Sequence, residues 1–268
     1  MITVIVILLI LFLLFFLSTV GRTGHRGMRK LRGYVYAHRG LHGDGVPENS
    51  LEAFRLAKEA GYGVELDIHL LKDGNLAVFH DTLLSRMTGL DGRIVDLTTE
   101  DLQNCHLDGT GHTIPTFSQV LHLFDGKVPM IVELKEVGNC AALCEKVCKM
   151  LDAYKGPYCL ESFDPRCVHW LKKNRPDLIR GQLTQNYFVN SKAPIPWFLK
   201  ILLRHQVMNF LTRPDFVAYR YSDRKTISNF FCRNVWGLQG VSWTIQNREE
   251  LDIAVKEGWI PIFENFRP

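Results

Sequence analysis

The sequence predicts an α/β protein: a (β/α)8 TIM barrel with a small insertion after its second strand and a transmembrane helix in front. Three observations carry this expectation. The chain has 268 residues, a length that one α/β barrel commonly fills. Eight short β-rich runs are separated by helical patterns, and eight is the number that closes such a barrel. Residues 2–20, ITVIVILLILFLLFFLSTV, form an apolar run with no charge.

That first run is long enough to cross the hydrocarbon layer as a helix. A cleaved signal peptide is the rival reading, but it wants a basic n-region, a shorter apolar stretch and a small-residue cleavage site. No Lys or Arg precedes the run, and Leu and Phe fill its end. Residues 1–21 are therefore expected to be a single-pass membrane anchor and 22–33 a basic juxtamembrane linker. The linker holds Arg22, Arg26, Arg29, Lys30 and Arg32. Basic residues collect on the cytoplasmic side of a membrane helix and on anionic headgroups, which would place the large domain in the cytoplasm. Removing those five charges from the net +4 leaves −1, which argues against a nucleic-acid partner. No protein partner is evident. Seven cysteines, an odd number, include Cys140, Cys144 and Cys148 along one helical face. Their spacing matches no recognised zinc pattern and reads as small thiols on a core-facing stripe.

The domain proper is expected over residues 34–268. Its β-rich runs are YVYAHRG, GVELDIH, MIVELK, YCLESF, IRGQLT, DFVAYR, GVSWTI and WIPIFEN. Helices are expected from Ser50 to Ala60, Asn139 to Tyr154, Pro165 to Lys173, Asp223 to Asn234 and Arg248 to Glu257. The first has a start signal, Asn49 as cap with Glu52 three positions on. LAVFHD would be a further strand, but only LLKDGN separates it from GVELDIH. A parallel crossover needs ten or more residues, whereas Asp73-Gly74 signals a hairpin. Residues 76–80 are thus the returning arm of a hairpin, within an insertion of about 69–113. The segment PIPWFLKILLRH, Pro194 to His205, reads as an outer helix or an interfacial one.

In such a barrel, functional residues gather at the C-terminal ends of strands. The triplet His-Arg-Gly occurs twice, at His25 and at His38, and only the second copy follows an apolar β-run. Glu65 and Asp67, two apart, share one face of the second strand; Glu133 and Lys135 have the same spacing on the next. The hairpin arm ends in His80-Asp81. Acids facing into a barrel need compensation. A divalent cation on Glu65, Asp67 and Glu133 is the simplest source, and a hard-oxygen set suits Ca²⁺ or Mg²⁺. The alternative is a purely structural network with Arg39 and Lys135.

Taken together, HRG, PENS, ELDIHLLKDGNLAVFHD, IVELK, ESF and SWTI resemble the glycerophosphodiester phosphodiesterase family, in order, from about Val35 to the end. The resemblance implies a (β/α)8 barrel, a divalent cation, and hydrolysis of a glycerophosphodiester to glycerol 3-phosphate and an alcohol. It implies His38 and His80 as the catalytic histidines, and Glu65, Asp67 and Glu133 as metal carboxylates. Arg39 and Lys135 match the phosphate-holding cations, and Glu48 of PEN a partner of those cations. Family members often close with Asp before Arg-Pro, where this chain has FENFRP and Glu264. Trp243 reads equally as substrate-lining or as core, and Asp81 as an orienter of His80 or a turn residue. His42, His69, His106, His112, His122, His169 and His205 read as surface or core. Two further functions compete: lysophospholipase D activity on lysolipids at a membrane, and an inactive barrel serving as a membrane-bound binding module. Retention of both histidines, three acids and both cations argues against the latter.

Overall fold

Eight parallel strands close into a ring, each buried on both faces and therefore written as short apolar runs. The computed structural model describes residues 1–135, 137–189 and 195–268. In chain order its elements begin with α1 (Ile2–Ser18), β1 (Tyr36–His38), α2 (Leu51–Glu59), β2 (Gly63–Leu70), β3 (Leu76–Val78), α3 (Ser85–Thr88) and α4 (Phe117–Phe124). There follow β4 (Met130–Leu134), α5 (Cys140–Leu151), β5 (Tyr158–Ser162), α6 (Pro165–Asn174), β6 (Arg180–Thr184), α7 (Trp197–Arg204) and α8 (Asn209–Thr212). The last are β7 (Phe216–Arg220), α9 (Ile227–Phe230), β8 (Gln239–Ile245), α10 (Arg248–Lys256) and β9 (Trp259–Phe263). Strands β1, β2, β4, β5, β6, β7, β8 and β9 pair in sequence, and β1 closes the ring by pairing with both β9 and β2. All eight expected runs are barrel strands.

The short β3 runs antiparallel to β2, with Ile68 opposite Val78, as the Asp73-Gly74 turn requires. Beyond it Phe79, Leu84, Ile94, Leu102 and Ile114 form a small core of their own. The larger core lies between the strands and the surrounding helices. Under the ring, Met28 and Leu31 are buried against Tyr36, Ile131, Cys159 and Phe216 and plug its N-terminal mouth.

The expected membrane anchor is not borne out. Among the described residues, no helix is long and apolar enough to cross a membrane. The apolar run spends its last residues elsewhere: the hydroxyls of Ser18 and Thr19 donate back to Phe15 O (2.6 Å) and Phe16 O (2.8 Å), and the helix stops. Seventeen residues at ~1.5 Å each give about 25 Å, short of the ~30 Å hydrocarbon core. Its last turns pack on the barrel instead, Phe16 standing 5.1 Å from Phe231 and 4.6 Å from Trp236 between ring centroids. The single-pass anchor, and the cytoplasmic placement argued from it, fall together. Nor is the basic segment a free linker. Arg22 pairs with buried Asp215 at 2.5 Å, and Arg32 donates to Gln239 at 2.8 Å.

Two helix expectations shift in detail. Ser50, not Asn49, caps α2, accepting from Ala53 N–H at 3.1 Å. The stretch 223–234 is broken into a 3₁₀ turn, α9 and a π-turn. In the 194–205 segment α7 buries none of its residues; Pro194 lies outside the described residues.

Candidate active site

Strand register assembles the polar residues. His38 on β1 lies opposite Glu65 on β2, Asp67 opposite Glu133 on β4, and Glu133 opposite Glu161 on β5. Alternation on a strand then turns these side chains to the same interior. His38, Glu65, Glu133 and Glu161 line a cavity of ≈ 390 Å³ at the C-terminal end of the barrel, together with Arg39, His80, Lys135, Phe163 and Trp243.

The floor is acidic. Glu65, Asp67 and Glu133 are buried, with one oxygen from each lying within 4.8 Å of the others. Burial first, then the like charges of Asp67 and Glu133, push the Glu65 carboxyl well above its usual range. Burial also raises Glu133, against the opposing pull of Lys135. Asp67 goes the other way: burial alone would raise it, but Lys135, His80 and Arg39 hold it well below. The Lys135 ammonium stands 3.0 Å from Asp67 and 2.8 Å from Glu133. One lysine and one arginine thus face three clustered carboxylates. The surplus negative charge and the all-oxygen donor set fit a divalent cation on Glu65, Asp67 and Glu133.

Arg39 sits at φ 55°, beside Gly40 at φ 82°, where the chain turns sharply off β1. A Cβ on Gly40 would come within 2.8 Å of the Ala53 backbone, so α2 packs there only against glycine. The turn aims the Arg39 amide at Glu65 (3.2 Å) and its guanidinium at Glu48 (2.8 Å). Its buried Nε has no hydrogen-bond partner, standing 3.5 Å from Asp67. Glu48 is shared with Arg86, which donates to it at 2.6 Å. Asn49, also left-handed at φ 54°, donates through its amide to Asp67 at 2.8 Å.

Each histidine is held at Nδ1 by a carboxylate. His38 meets Glu264 at 3.1 Å, and His80 meets Asp81 at 2.6 Å. Asp81 is gripped in turn by Arg86, so it is an orienter and not a plain turn residue. Burial and the Arg39 charge lower the His38 pKa, while Glu264 pulls it up. His42 reaches Glu264 too, at 3.2 Å, although its sequence context suggested surface or core. Trp243 lines the cavity, 5.7 Å from the Phe163 ring at 90°, with its buried Nε1 lacking a partner. His25 is remote from the site. It caps the turn over Arg26–Lys30 at the opposite mouth, accepting from Gly27 N–H and bonding Asp177 O at 2.9 Å.

Among the acids that line the cavity, sequence reasoning missed Glu161. Glu161 is 1% exposed, and its Oε2 has no partner. Burial and the neighbouring Glu133 push its carboxyl well above the usual range. The signal was present in ESF, whose glutamate sits at a strand end like Glu133.

Known proteins resemble this chain in sequence and fold. The glycerophosphoryl diester phosphodiesterase family profile matches residues 38–266. A glycerophosphodiester phosphodiesterase from Caldanaerobacter subterraneus subsp. tengcongensis is 29% identical over 240 residues, covering 84% of this chain and 90% of that one. The structure of a Thermotoga maritima glycerophosphodiester phosphodiesterase superposes with a TM-score of 0.66 at 26% identity, covering 86% of this chain and 93% of that one. An Oleispira antarctica phosphodiesterase, solved with the product sn-glycerol-3-phosphate, has the same fold, with a TM-score of 0.71 at 23% identity over 90% of this chain and 95% of that one. The match runs through every element that builds the cavity, and the chain belongs to the glycerophosphoryl diester phosphodiesterase family.

Proposed function

We propose that the protein is a metal-dependent enzyme that hydrolyses glycerophosphodiesters to glycerol 3-phosphate and an alcohol, with His38 and His80 as its proton-transfer pair. The observation that carries this reading is the pairing of two histidines, each fixed at Nδ1 by its own carboxylate, around one cavity over an acidic floor. Fixing Nδ1 leaves Nε2 of each ring to the substrate, the geometry general acid–base catalysis requires. His38, kept neutral by burial and Arg39, removes the proton from the nucleophile. His80, held at Nδ1 by Asp81, returns one to the departing alkoxide. Arg39 and Lys135 hold the phosphoryl oxygens and oppose the charge that builds on them. Glu48 fixes Arg39, and Asn49 fixes Asp67. Glu65, Asp67 and Glu133 would hold Ca²⁺ or Mg²⁺, which when bound supplies positive charge for the phosphoryl group. Trp243 and Phe163 form an apolar wall for the glycerol carbons.

A lysophospholipid is the second reading, favoured by one feature. An apolar groove of ≈ 620 Å³ between Tyr187, Pro196, Leu199, Leu203 and Met208 meets the cavity at Phe163 and Gln185. An acyl chain on the glycerol would lie there.

Product analysis on the purified protein tests the main reading. Chelator should abolish release of glycerol 3-phosphate from glycerophosphocholine, and added Mg²⁺ or Ca²⁺ should restore it. Glu133→Gln should lose activity by weakened metal affinity and recover partly in excess metal, whereas His80→Gln should not recover. Full turnover in chelator, or equal rescue of both variants, rejects the assignment.

A further inference from the structure

We propose that Cys140, Cys144 and Cys167 form a second metal site, an all-sulfur one for a single soft cation of the Cd²⁺ or Zn²⁺ class, on the flank of the barrel between α5 and α6. One sulfur from each lies within 4.8 Å of the other two. The Cys140 and Cys144 sulfurs are 3.9 Å apart, and metal–sulfur bonds of ~2.3 Å in a tetrahedron require sulfurs about 3.8 Å apart. The cluster needs only small adjustments to close on an ion.

Cys105 and Cys159 sit singly in their apolar clusters, whereas Cys144 and Cys167 lie in the main core with Cys140 packed against it, and the three sulfurs meet. Cys140, Cys144 and Cys167 come from two different helices and meet at one point. Cys144 and Cys167 are buried, while Cys140 is half-buried and opens the cluster to solvent, which gives an ion a way in and leaves a coordination position for water. Cys140 opens the 12-residue α5 and Cys167 stands in the first turn of the 10-residue α6.

Binding needs no oxidant. Three S–H bonds lose their protons to solvent and three metal–sulfur bonds form. Burial pushes the Cys140 thiol up to about 12, so the protons are present to be released at neutral pH. The two metal sites differ in kind: the sulfur donors select a soft ion, while the carboxylate floor of the cavity selects a hard one. An ion on the thiols ties the start of α5, which follows the strand of Glu133, to the start of α6, which follows the strand of Glu161. The clamp holds two walls of the catalytic cavity together.

The test is a Cd²⁺ titration of the full chain, reduced with a phosphine and freed of metal. The expected result is a sulfur-to-cadmium charge-transfer absorption that saturates at one ion per chain, with proton release. Cys140→Ser, at the half-exposed position where folding should survive, is expected to weaken binding at least roughly tenfold. Cys148→Ser, one turn further along α5, should leave it unchanged, as should Glu133→Gln. Thermal melts of the variants check folding. Absence of the charge-transfer band overturns the proposal. So does an unchanged band in Cys140→Ser, or an equal loss in Cys148→Ser. An air-formed disulfide within the cluster, in a protein that takes up no Cd²⁺ when reduced, overturns it as well.

Discussion

At His38 opposing influences set the protonation state. Burial and the adjacent Arg39 favour the neutral ring; the hydrogen bond to the Glu264 carboxylate favours the imidazolium. Removing Glu264 takes away the negative charge that raises the pKa, so the ring should titrate at lower pH. Glu264→Gln is therefore expected to move the acidic limb of kcat/KM downward in pH, while lowering kcat because the ring loses its orienting carboxylate. Paired pH–rate profiles read this, and an upward shift would show that His38 is not the base of that limb. His38→Ala should cost ~10²–10⁴-fold in kcat. His25→Ala should leave kcat nearly intact and cost about 1 kcal/mol of stability as a lost cap. Comparable catalytic losses from both changes would sink the distinction between the two triplets. The strand-end rule made His38, Glu65, Asp67 and Glu133 legible, because alternation and position are local properties. Glu264 was not, since 226 residues separate it from His38. Only the pairing of β9 with β1 brings the two together, and no local spacing encodes that closure.

Among the elements, α2 shows how one residue of register changes a role. Asn49 and Ser50 are both good caps, and the sequence favoured the first because Glu52 completes its box. The structure gives the cap to Ser50, frees Asn49 to hold Asp67, and turns Glu52 to Arg55 at 2.5 Å. The choice rests on the left-handed backbone at Asn49, a conformation asparagine tolerates better than serine. Ser50→Ala should cost about 1 kcal/mol in chemical denaturation with activity preserved. Asn49→Ala should lower activity by freeing Asp67, and the strained φ should cost stability too. If Ser50→Ala is the one that loses activity, the assignment of the two residues is reversed. Helix α1 misled for a related reason. Apolar composition spoke for a span, but two hydroxyl residues at its end turn back on the helix, and Phe16 finds ring partners in Phe231 and Trp236. Composition cannot report where a helix stops or what its end packs against.

Across the whole molecule, closure of eight strands gathers both histidines, both cations and the acids at one mouth, while Met28 and Leu31 seal the other. The count of strands was legible because parallel strands buried on both faces are written as separate apolar runs. What this single mouth does to a substrate comes down to which bond breaks. Glycerol carries a hydroxyl beside the esterified one, close enough to attack phosphorus once His38 removes its proton. Such an internal nucleophile has an effective concentration of about 10⁵–10⁸ M over an external one. On the proposed reading its attack would form a cyclic phosphate on the glycerol and expel the headgroup alcohol, which would take a proton from His80. Water would then open the ring to glycerol 3-phosphate. Glycerophosphocholine should accordingly release free choline and no phosphocholine. An analogue lacking the 2-hydroxyl should resist cleavage while still binding as a competitive inhibitor. Release of phosphocholine would put the cut on the other side of phosphorus. Cleavage of the 2-deoxy analogue at the full rate would make activated water the attacker, and the neighbouring hydroxyl would then serve recognition alone.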